Sequence, residues 1–143
     1  MTYITQEAIS LIKKFESYSP TIYLCPAGYK TIGYGHVIKK NEYFYNLSLE
    51  EAEKLLLNDM LKIEKFILKS LKISVSIGQI NALISFAFNV GNAAFQRSTL
   101  RQKINSKNFE EVPREFRRWI KARGRILKGL VRRREEEIKM FYS

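Results

Sequence analysis

The sequence is poor in the residues that build covalent cross-links and metal sites. It contains one cysteine, Cys25, and one histidine, His36, among 143 residues. A single cysteine excludes an intramolecular disulfide, and one thiol with one imidazole supplies too few soft ligands for a structural zinc site. We therefore expect a fold held together by its hydrophobic core, without metal or cofactor, and synthesis in a reducing cytoplasm.

Long apolar runs and flexible linkers are also missing. No stretch approaches the ~20 apolar residues that a membrane-spanning helix needs. The N-terminal stretch mixes apolar residues with Glu7, Lys13, Lys14 and Glu16 and does not resemble a signal peptide. Since no repeat or Pro/Gly-rich linker divides the chain, we expect one domain over residues 1–143.

Acidic residues are scarce relative to basic ones. Against 25 Lys and Arg the chain has 14 Asp and Glu, for a formal net charge of +11, and much of the excess lies in residues 114–134. A field of this kind attracts nucleic acid, anionic lipid or anionic cell-wall polymers, although a solvated helix face explains it equally well. No base-reading motif accompanies the charge, so we expect no specific nucleic-acid partner.

Hydrophobic periodicity predicts an α+β fold that is mostly helical, with a small antiparallel β lobe near the N-terminus. Apolar residues at helical spacing predict a first helix that begins after the N-cap Thr5 and ends near Glu16. The β-branched and aromatic runs TIYL and TIGYGHVI, joined by turn residues, predict the β lobe within about residues 18–46.

Local capping signals predict the helical lobe, about residues 48–143. Ser48 with Glu51 and Ser76 with Gln79 form two capping boxes, which predict the starts of a long helix ending near Ser70 and of a buried central helix. The remaining breaks predict a turn and three further helices: a turn over Asn89 to Asn92, a helix from about Ser98, one from about Asn108 to Trp119, and a last one through Phe141.

The run from Thr31 to His36 is the first candidate for a binding surface. Strand alternation places Thr31, Gly33 and Gly35 on one face and His36 on the other. A face with two glycines admits either a bulky ligand, such as a sugar, or another stretch of backbone.

Three candidate residues occur at a recognisable spacing. Glu16, Cys25 and Thr31 are separated by eight and five residues, in register with the motif of the phage-type lysozymes, the muramidase endolysins of glycoside hydrolase family twenty-four. INALISFAFNVGNAAFQRSTL, residues 80–100, is similar to that family's central helix, and EFRRWIKARGRILKGLVRRREEE, residues 115–137, to its C-terminal segment. The resemblance covers most of the chain and implies a lysozyme-like fold.

The resemblance implies hydrolysis of the β-1,4 bond between N-acetylmuramic acid and N-acetylglucosamine in peptidoglycan, with Glu16 as the general acid. Cys25 stands where many members have a catalytic aspartate. A thiol is a weak base at neutral pH but a strong nucleophile as thiolate. The resemblance therefore implies that Cys25 and Thr31 are nucleophile or water-positioning groups, unless Cys25 is only a small residue at the turn before Pro26.

The resemblance also implies supporting roles. It pairs His36 with Asp59 as a structural ion pair that holds the β lobe to the long helix. The family's substrate contacts correspond to Val37, Phe88 and Ser98, although Phe88 also fits the core periodicity and Ser98 is an equally good N-cap. At a fourth family contact this chain has Glu115, a different side chain, so that role is not carried over. Arg125 is a candidate partner of Glu16.

Two other function classes stay open at this stage. One is a lysozyme fold that binds cell walls without cutting them, and the other is a basic nucleic-acid-binding protein. For the enzyme we expect a monomer that needs a holin for export and acts at the cell wall after release, with its attraction to the anionic wall weakened by salt.

Overall fold

A computed structural model describes residues 1–143 and confirms a mostly helical α+β architecture with a small antiparallel sheet on the N-terminal side. The elements in chain order are α1 Gln6–Glu16, β1 Ser19–Leu24, β2 Lys30–Gly33, β3 His36–Val37, α2 Leu49–Ser70, α3 Ile77–Val90, α4 Asn92–Arg97, α5 Thr99–Asn105, a 3₁₀ turn Phe109–Glu111, α6 Val112–Arg117, β4 Lys121–Ala122, β5 Arg125–Ile126 and α7 Lys128–Phe141. None of the helices combines the length and the apolarity needed to cross a membrane.

Helix starts follow the local capping chemistry. The Thr5 hydroxyl accepts a hydrogen bond from the Ala8 N–H at the start of α1. Both predicted capping boxes are present, at the starts of α2 and α3, with each serine and its partner three residues on bonded reciprocally. These caps satisfy N–H groups that a helix leaves without intrahelical partners. The predicted boundaries of α1 and α2 are confirmed.

The hydrophobic core surrounds α3. Its residues 80–87 are all buried, as the nearly all-round apolar pattern predicts. Phe86 is fully buried and makes edge contacts with the rings of Phe95, Phe116 and Trp119, at centroid distances of 6.3, 5.5 and 5.4 Å. Because α7 packs beside α3, polar groups of α7 are forced into this apolar surrounding.

The β lobe departs from the predicted alternation. β1, β2 and β3 form an antiparallel sheet in that order, with Tyr23 opposite Thr31 and Thr31 opposite Val37. The run from Thr31 to His36 is not one strand, because Gly33 and Gly35 have φ of +66° and +72° and turn the chain between β2 and β3. His36 lies opposite Ile32, so it still faces away from Thr31.

Two predictions in the C-terminal half are wrong. α3 continues through Asn89 to Val90, and only Gly91 separates it from α4, so Asn89 to Asn92 is not a turn. The basic region forms a small hairpin, β4 and β5, where helix was expected. Its two-residue turn, Arg123 and Gly124, has φ of +52° and +78°, both positive as the type I′ hairpin turn requires.

Candidate active site

Glu16 ends α1 and extends its carboxylate toward α7. Its Oε2 lies 2.6 Å from Nη1 of Arg133, which donates a charge-assisted hydrogen bond. The Glu16 side chain is 19% exposed and that of Arg133 only 3%, so the carboxylate reaches solvent while its partner does not. The expectation that Arg125 pairs with Glu16 is wrong, because Arg125 lies exposed in the β4–β5 hairpin.

Arg133 is fixed in place by α3 and by its own helix. Nη2 donates to the Ser85 carbonyl at 3.1 Å, and Nε donates to Glu137 Oε2 at 3.3 Å. Glu137 is itself held by the Ser85 hydroxyl, which donates to Oε2 at 2.6 Å. The guanidinium therefore meets Glu16 in one orientation, and its opposite edge is bonded to a second carboxylate.

Arg134 completes this buried cluster. Its Nε lies 2.8 Å from Glu137 Oε1, an ion pair in which neither atom has an aligned hydrogen-bond partner. Nη2 donates to Asn89 Oδ1 at 2.8 Å, and the guanidinium stands 5.0 Å from the Phe86 ring centroid. Burial lowers the pKa of Arg134 to about 10, which leaves it charged at neutral pH. For Arg133 and Arg134, the interpretation of the basic segment as a solvated face is wrong.

Cys25 begins the turn between β1 and β2. Its carbonyl accepts from the Gly28 N–H at 2.8 Å, and its own N–H donates to the Tyr29 carbonyl at 2.9 Å. Burial acts to raise the pKa of the thiol, but hydrogen bonds outweigh this and hold the pKa below its ordinary value. The donors are backbone N–H groups of the turn (Tyr29, Ala27 and Gly28) and the Thr31 hydroxyl. This environment favours the thiolate.

Thr31 and Tyr23 are the other polar side chains of the sheet near Cys25. The Thr31 side chain is buried, and its Oγ1 lies 2.9 Å from the Tyr29 carbonyl, so its single proton goes either to that oxygen or to the sulfur. Tyr23 stands opposite Thr31. Burial raises the pKa of Tyr23, and the negative charges of Glu16 and Cys25 raise it further. The phenol therefore lies within electrostatic reach of both predicted catalytic groups.

The two glycines of the turn between β2 and β3 have different surroundings. Gly33 is buried, and a Cβ on it would lie 3.1 Å from Leu47 Cδ2 and 3.5 Å from Ala52 Cβ. The expectation that Gly33 forms part of a sugar-binding floor is therefore corrected, since it makes room for helix packing. A Cβ on Gly35 would lie 2.5 Å from Glu16 Oε1, so this glycine makes room for the carboxylate.

His36 is bonded to two carboxylates on the face away from Thr31. Its Nδ1 lies 2.7 Å from Asp59 Oδ2, the partner the resemblance implies, and its Nε2 lies 3.0 Å from Glu42 Oε1, which the sequence did not suggest. Burial acts to lower the pKa of His36, but the hydrogen bonds and charges of these carboxylates outweigh it and raise the pKa. His36 thus joins β3, the following loop and α2.

The predicted substrate contacts differ in accessibility. Val37 is 46% exposed and shares a sheet face with Thr31. Phe88 is half-buried against the core. Ser98 is buried and caps α5, since its hydroxyl accepts from the Arg101 N–H and donates to the Phe95 carbonyl. Glu115 is buried and paired with Arg118 at 2.9 Å. The substrate roles of Val37, Phe88 and Ser98 stay predictions.

Sequence reasoning missed Arg133 and Glu137 as members of this site. A signal was present, because an arginine and a glutamate four residues apart lie on the same helix face. The remaining cations of the segment do form a solvated surface. Five are exposed and take part in no ion pair: Lys121, Arg123, Arg125, Lys128 and Arg132.

A separate surface cavity of about 750 Å³ lies between α1, the start of α3 and the end of α7. None of Glu16, Cys25 and Thr31 lines it. Among its polar side chains, Lys14 is paired with Glu136, and Asn81 is bonded to backbone groups near the N-terminus. The predicted catalytic residues therefore lie outside this cavity, at the junction of α1, the sheet and α7.

Comparison with known proteins identifies the family. The phage lysozyme family matches residues 13–137. The chain is 41% identical over 142 residues to an endolysin of Bacillus phage B103, covering 98% of this chain and 54% of that protein. It is 30% identical over 147 residues to an endolysin of Salmonella phage P22, covering 100% of both. The chain belongs to the phage lysozyme family.

The fold agrees with this assignment. The muramidase domain of SpmX from Asticaccaulis excentricus superposes with a TM-score of 0.87 at 29% identity, covering 98% of this chain and 97% of that one. The predicted lysozyme-like fold is therefore confirmed. The chain spans about half the length of the Bacillus phage endolysins it matches.

Proposed function

We propose that this chain is a muramidase of the endolysin type, which hydrolyses the β-1,4 bond between N-acetylmuramic acid and N-acetylglucosamine in peptidoglycan. The observation that carries the proposal is the Glu16 carboxylate, partly exposed at the end of α1 and held at 2.6 Å by a buried arginine. Cys25 and Thr31 follow it at the family's spacing, in the β1–β2 turn and in β2. Family membership supports the same chemistry.

Glu16 acts as the general acid that protonates the glycosidic oxygen as the bond to the sugar breaks. The second group is Cys25. As a thiolate, it either attacks the anomeric carbon, to form a thioglycosyl intermediate that water then hydrolyses, or acts with Thr31 to orient the attacking water. The turn N–H groups that lower the thiol pKa support a charged sulfur in both schemes.

The reaction takes place at the cell wall. An endolysin reaches peptidoglycan from inside the host, so the proposal includes synthesis in the bacterial cytoplasm and release to the wall through a holin. The net charge of +11 and the five unpaired cations near α7 favour association with an anionic wall. The chain acts as a monomeric single domain, which size-exclusion chromatography with light scattering would test.

The decisive measurement is release of reducing sugar from purified peptidoglycan. We expect the parent protein to release it and Glu16→Gln to release none, with both folded by circular dichroism. Glu7→Gln is the matched control, because Glu7 is an exposed acid of the same helix with no ion pair. It should retain the parental rate.

The competing functions give different results in the same experiments. A lysozyme fold that only binds walls would sediment with peptidoglycan and release no reducing sugar. A nucleic-acid-binding protein would give a salt-sensitive gel shift without muramidase activity. Either outcome would contradict the proposal.

A further inference from the structure

Glu137 is a fully buried acid with no part in the chemistry described so far. Its exposed fraction is 0%, and it lies between the guanidinium groups of Arg133 and Arg134. The Ser85 hydroxyl donates to it at 2.6 Å. Burial raises the pKa of Glu137, and the two arginines and the Ser85 hydroxyl offset this rise only in part. The surroundings thus supply the partners that a buried carboxylate requires.

Glu137 and Glu16 share one cation. Arg133 donates from Nη1 to Glu16 and from Nε to Glu137, at 2.6 and 3.3 Å. A lone arginine beside Glu16 would favour the ionised carboxylate, although a general acid must carry its proton when substrate binds. A negative charge on the opposite edge of the same guanidinium offsets that effect.

We propose that Glu137 is a positioning residue for the general acid. It fixes the Arg133 guanidinium against Glu16 and offsets part of the positive charge that Arg133 presents to the carboxylate. The inference rests on the proposed role of Glu16. It concerns an indirect effect, because Glu137 is buried and contacts no substrate.

The other charged and titratable groups around this pair are few. α7 contributes Arg133 and Arg134, and the sheet side contributes Tyr23, which lies within electrostatic reach of Glu16. On α1 itself, Lys13 and Lys14 are paired with Glu53 and Glu136. From α3, the polar contacts to the two arginines and Glu137 are the neutral Ser85 and Asn89. The four residues Glu16, Arg133, Arg134 and Glu137 carry a net charge of +1 when Glu16 is protonated and Glu137 is ionised. Removing the charge of Glu137 raises this net charge to +2.

The test is Glu137→Gln, a substitution of the same shape without the charge. Reducing-sugar release is measured against pH, and the alkaline midpoint of the profile reports loss of the Glu16 proton. We expect this midpoint to fall by about one pH unit, the size of effect that one charge within ~10 Å produces at an effective dielectric constant of ~20. Glu136→Gln makes the same charge change at a half-buried neighbour that is paired with Lys14 and not with Arg133, and it should leave the midpoint unchanged.

A second readout does not depend on activity. The ¹³C shift of the Glu16 carboxyl, followed by NMR against pH, should show its titration midpoint moving down in Glu137→Gln. If the parent protein had no muramidase activity, the proposed function would fail while this titration still tested the charge coupling. An unchanged Glu16 titration in folded Glu137→Gln would overturn the inference.

Ser85→Ala covers the case in which Glu137→Gln does not fold. It removes the hydroxyl that stabilises ionised Glu137 and changes no formal charge. The Glu16 midpoint should move in the same direction by a smaller amount. Glu137→Asp retains the charge and should keep the midpoint nearer the parental value than Glu137→Gln does. A midpoint that Ser85→Ala leaves unchanged, or that falls equally in Glu137→Asp and Glu137→Gln, would refute the proposed role.

Discussion

Replacing Gly35 with alanine tests whether the turn between β2 and β3 positions the general acid. Gly35 has a φ of +72°, a conformation that costs a side-chain-bearing residue ~1–2 kcal/mol. The new Cβ would lie 2.5 Å from Glu16 Oε1. The carboxylate must withdraw by about 1 Å to reach ordinary van der Waals distance. It cannot do so freely, because Arg133 holds its other oxygen at 2.6 Å.

Gly124→Ala separates backbone strain from displacement of Glu16. Gly124 has a φ of +78°, and a Cβ there would meet nothing within 4 Å. We expect both variants to lose ~1–2 kcal/mol of unfolding free energy in urea denaturation. Only Gly35→Ala should lose activity beyond that, by roughly 100-fold in kcat/KM, because displacement of a catalytic group by ~1 Å has effects of this size.

The assay is reducing-sugar release from purified peptidoglycan at a temperature where both variants are fully folded. Equal loss of activity in Gly35→Ala and Gly124→Ala would show that strain alone is responsible. A parental rate in folded Gly35→Ala would show that the Glu16 position in the structure is not the catalytic one. Either result would contradict a role of Gly35 in positioning the Glu16 carboxylate.

Two further predictions concern Cys25 and His36. Cys25→Asp should release reducing sugar and should not be inhibited by iodoacetamide. Cys25→Ala and the alkylated parent protein should release none. Full activity in Cys25→Ala would show that the thiol takes no part in the mechanism. The pKa of His36 is raised in the folded state, so its stabilising effect is fully present below the unfolded value of about 6.5 and is lost as pH rises through the folded value. Urea unfolding at a series of pH values should show this decline in the parent and a smaller one in Asp59→Asn, and identical profiles would contradict the role of the pair.

Helix starts were predictable because their chemistry is local. A capping box needs only a serine and an acid or amide three residues later, and both boxes in this chain begin helices. The C-terminal hairpin was missed although Arg123 and Gly124 provide a turn signal, because its strands are two residues each and the flanking periodicity is helical. Local preference therefore predicts the helix starts, whereas the hairpin depends on tertiary context.

The β lobe shows why a side-chain pattern can fail where backbone geometry changes. Alternation assumes extended residues throughout, and the positive φ values of Gly33 and Gly35 break it. A glycine in the sequence does not indicate whether a ligand, a helix or a carboxylate occupies the space that its missing side chain leaves. Here Gly33 lies against Ala52 of α2 and Gly35 lies against Glu16, a distinction that depends on contacts between distant segments.

Only the N-terminal residues of the candidate site were predictable from the sequence. Glu16, Cys25 and Thr31 lie within sixteen residues of one another, so their spacing is visible in the sequence. Arg133 is 117 residues from Glu16, and the spacing of Arg133 and Glu137 indicates a shared helix face but not that the fold buries it. The net charge of a segment does not distinguish buried from exposed arginines. Packing of α7 against α3 buries Arg133 and Arg134.

The two predicted catalytic groups differ in the means by which their charge is controlled. A glycosidase needs one group that holds a proton and another that is charged or aligns water. At Cys25, neutral N–H groups of one tight turn and the Thr31 hydroxyl favour the thiolate, so this control is local and depends on residues 25–31. At Glu16, the control comes from Arg133 and from Glu137 behind it, across the core. Substitutions in the turn should therefore affect the sulfur alone, whereas substitutions on α7 should affect the acid, and the pH profile of each variant separates the two.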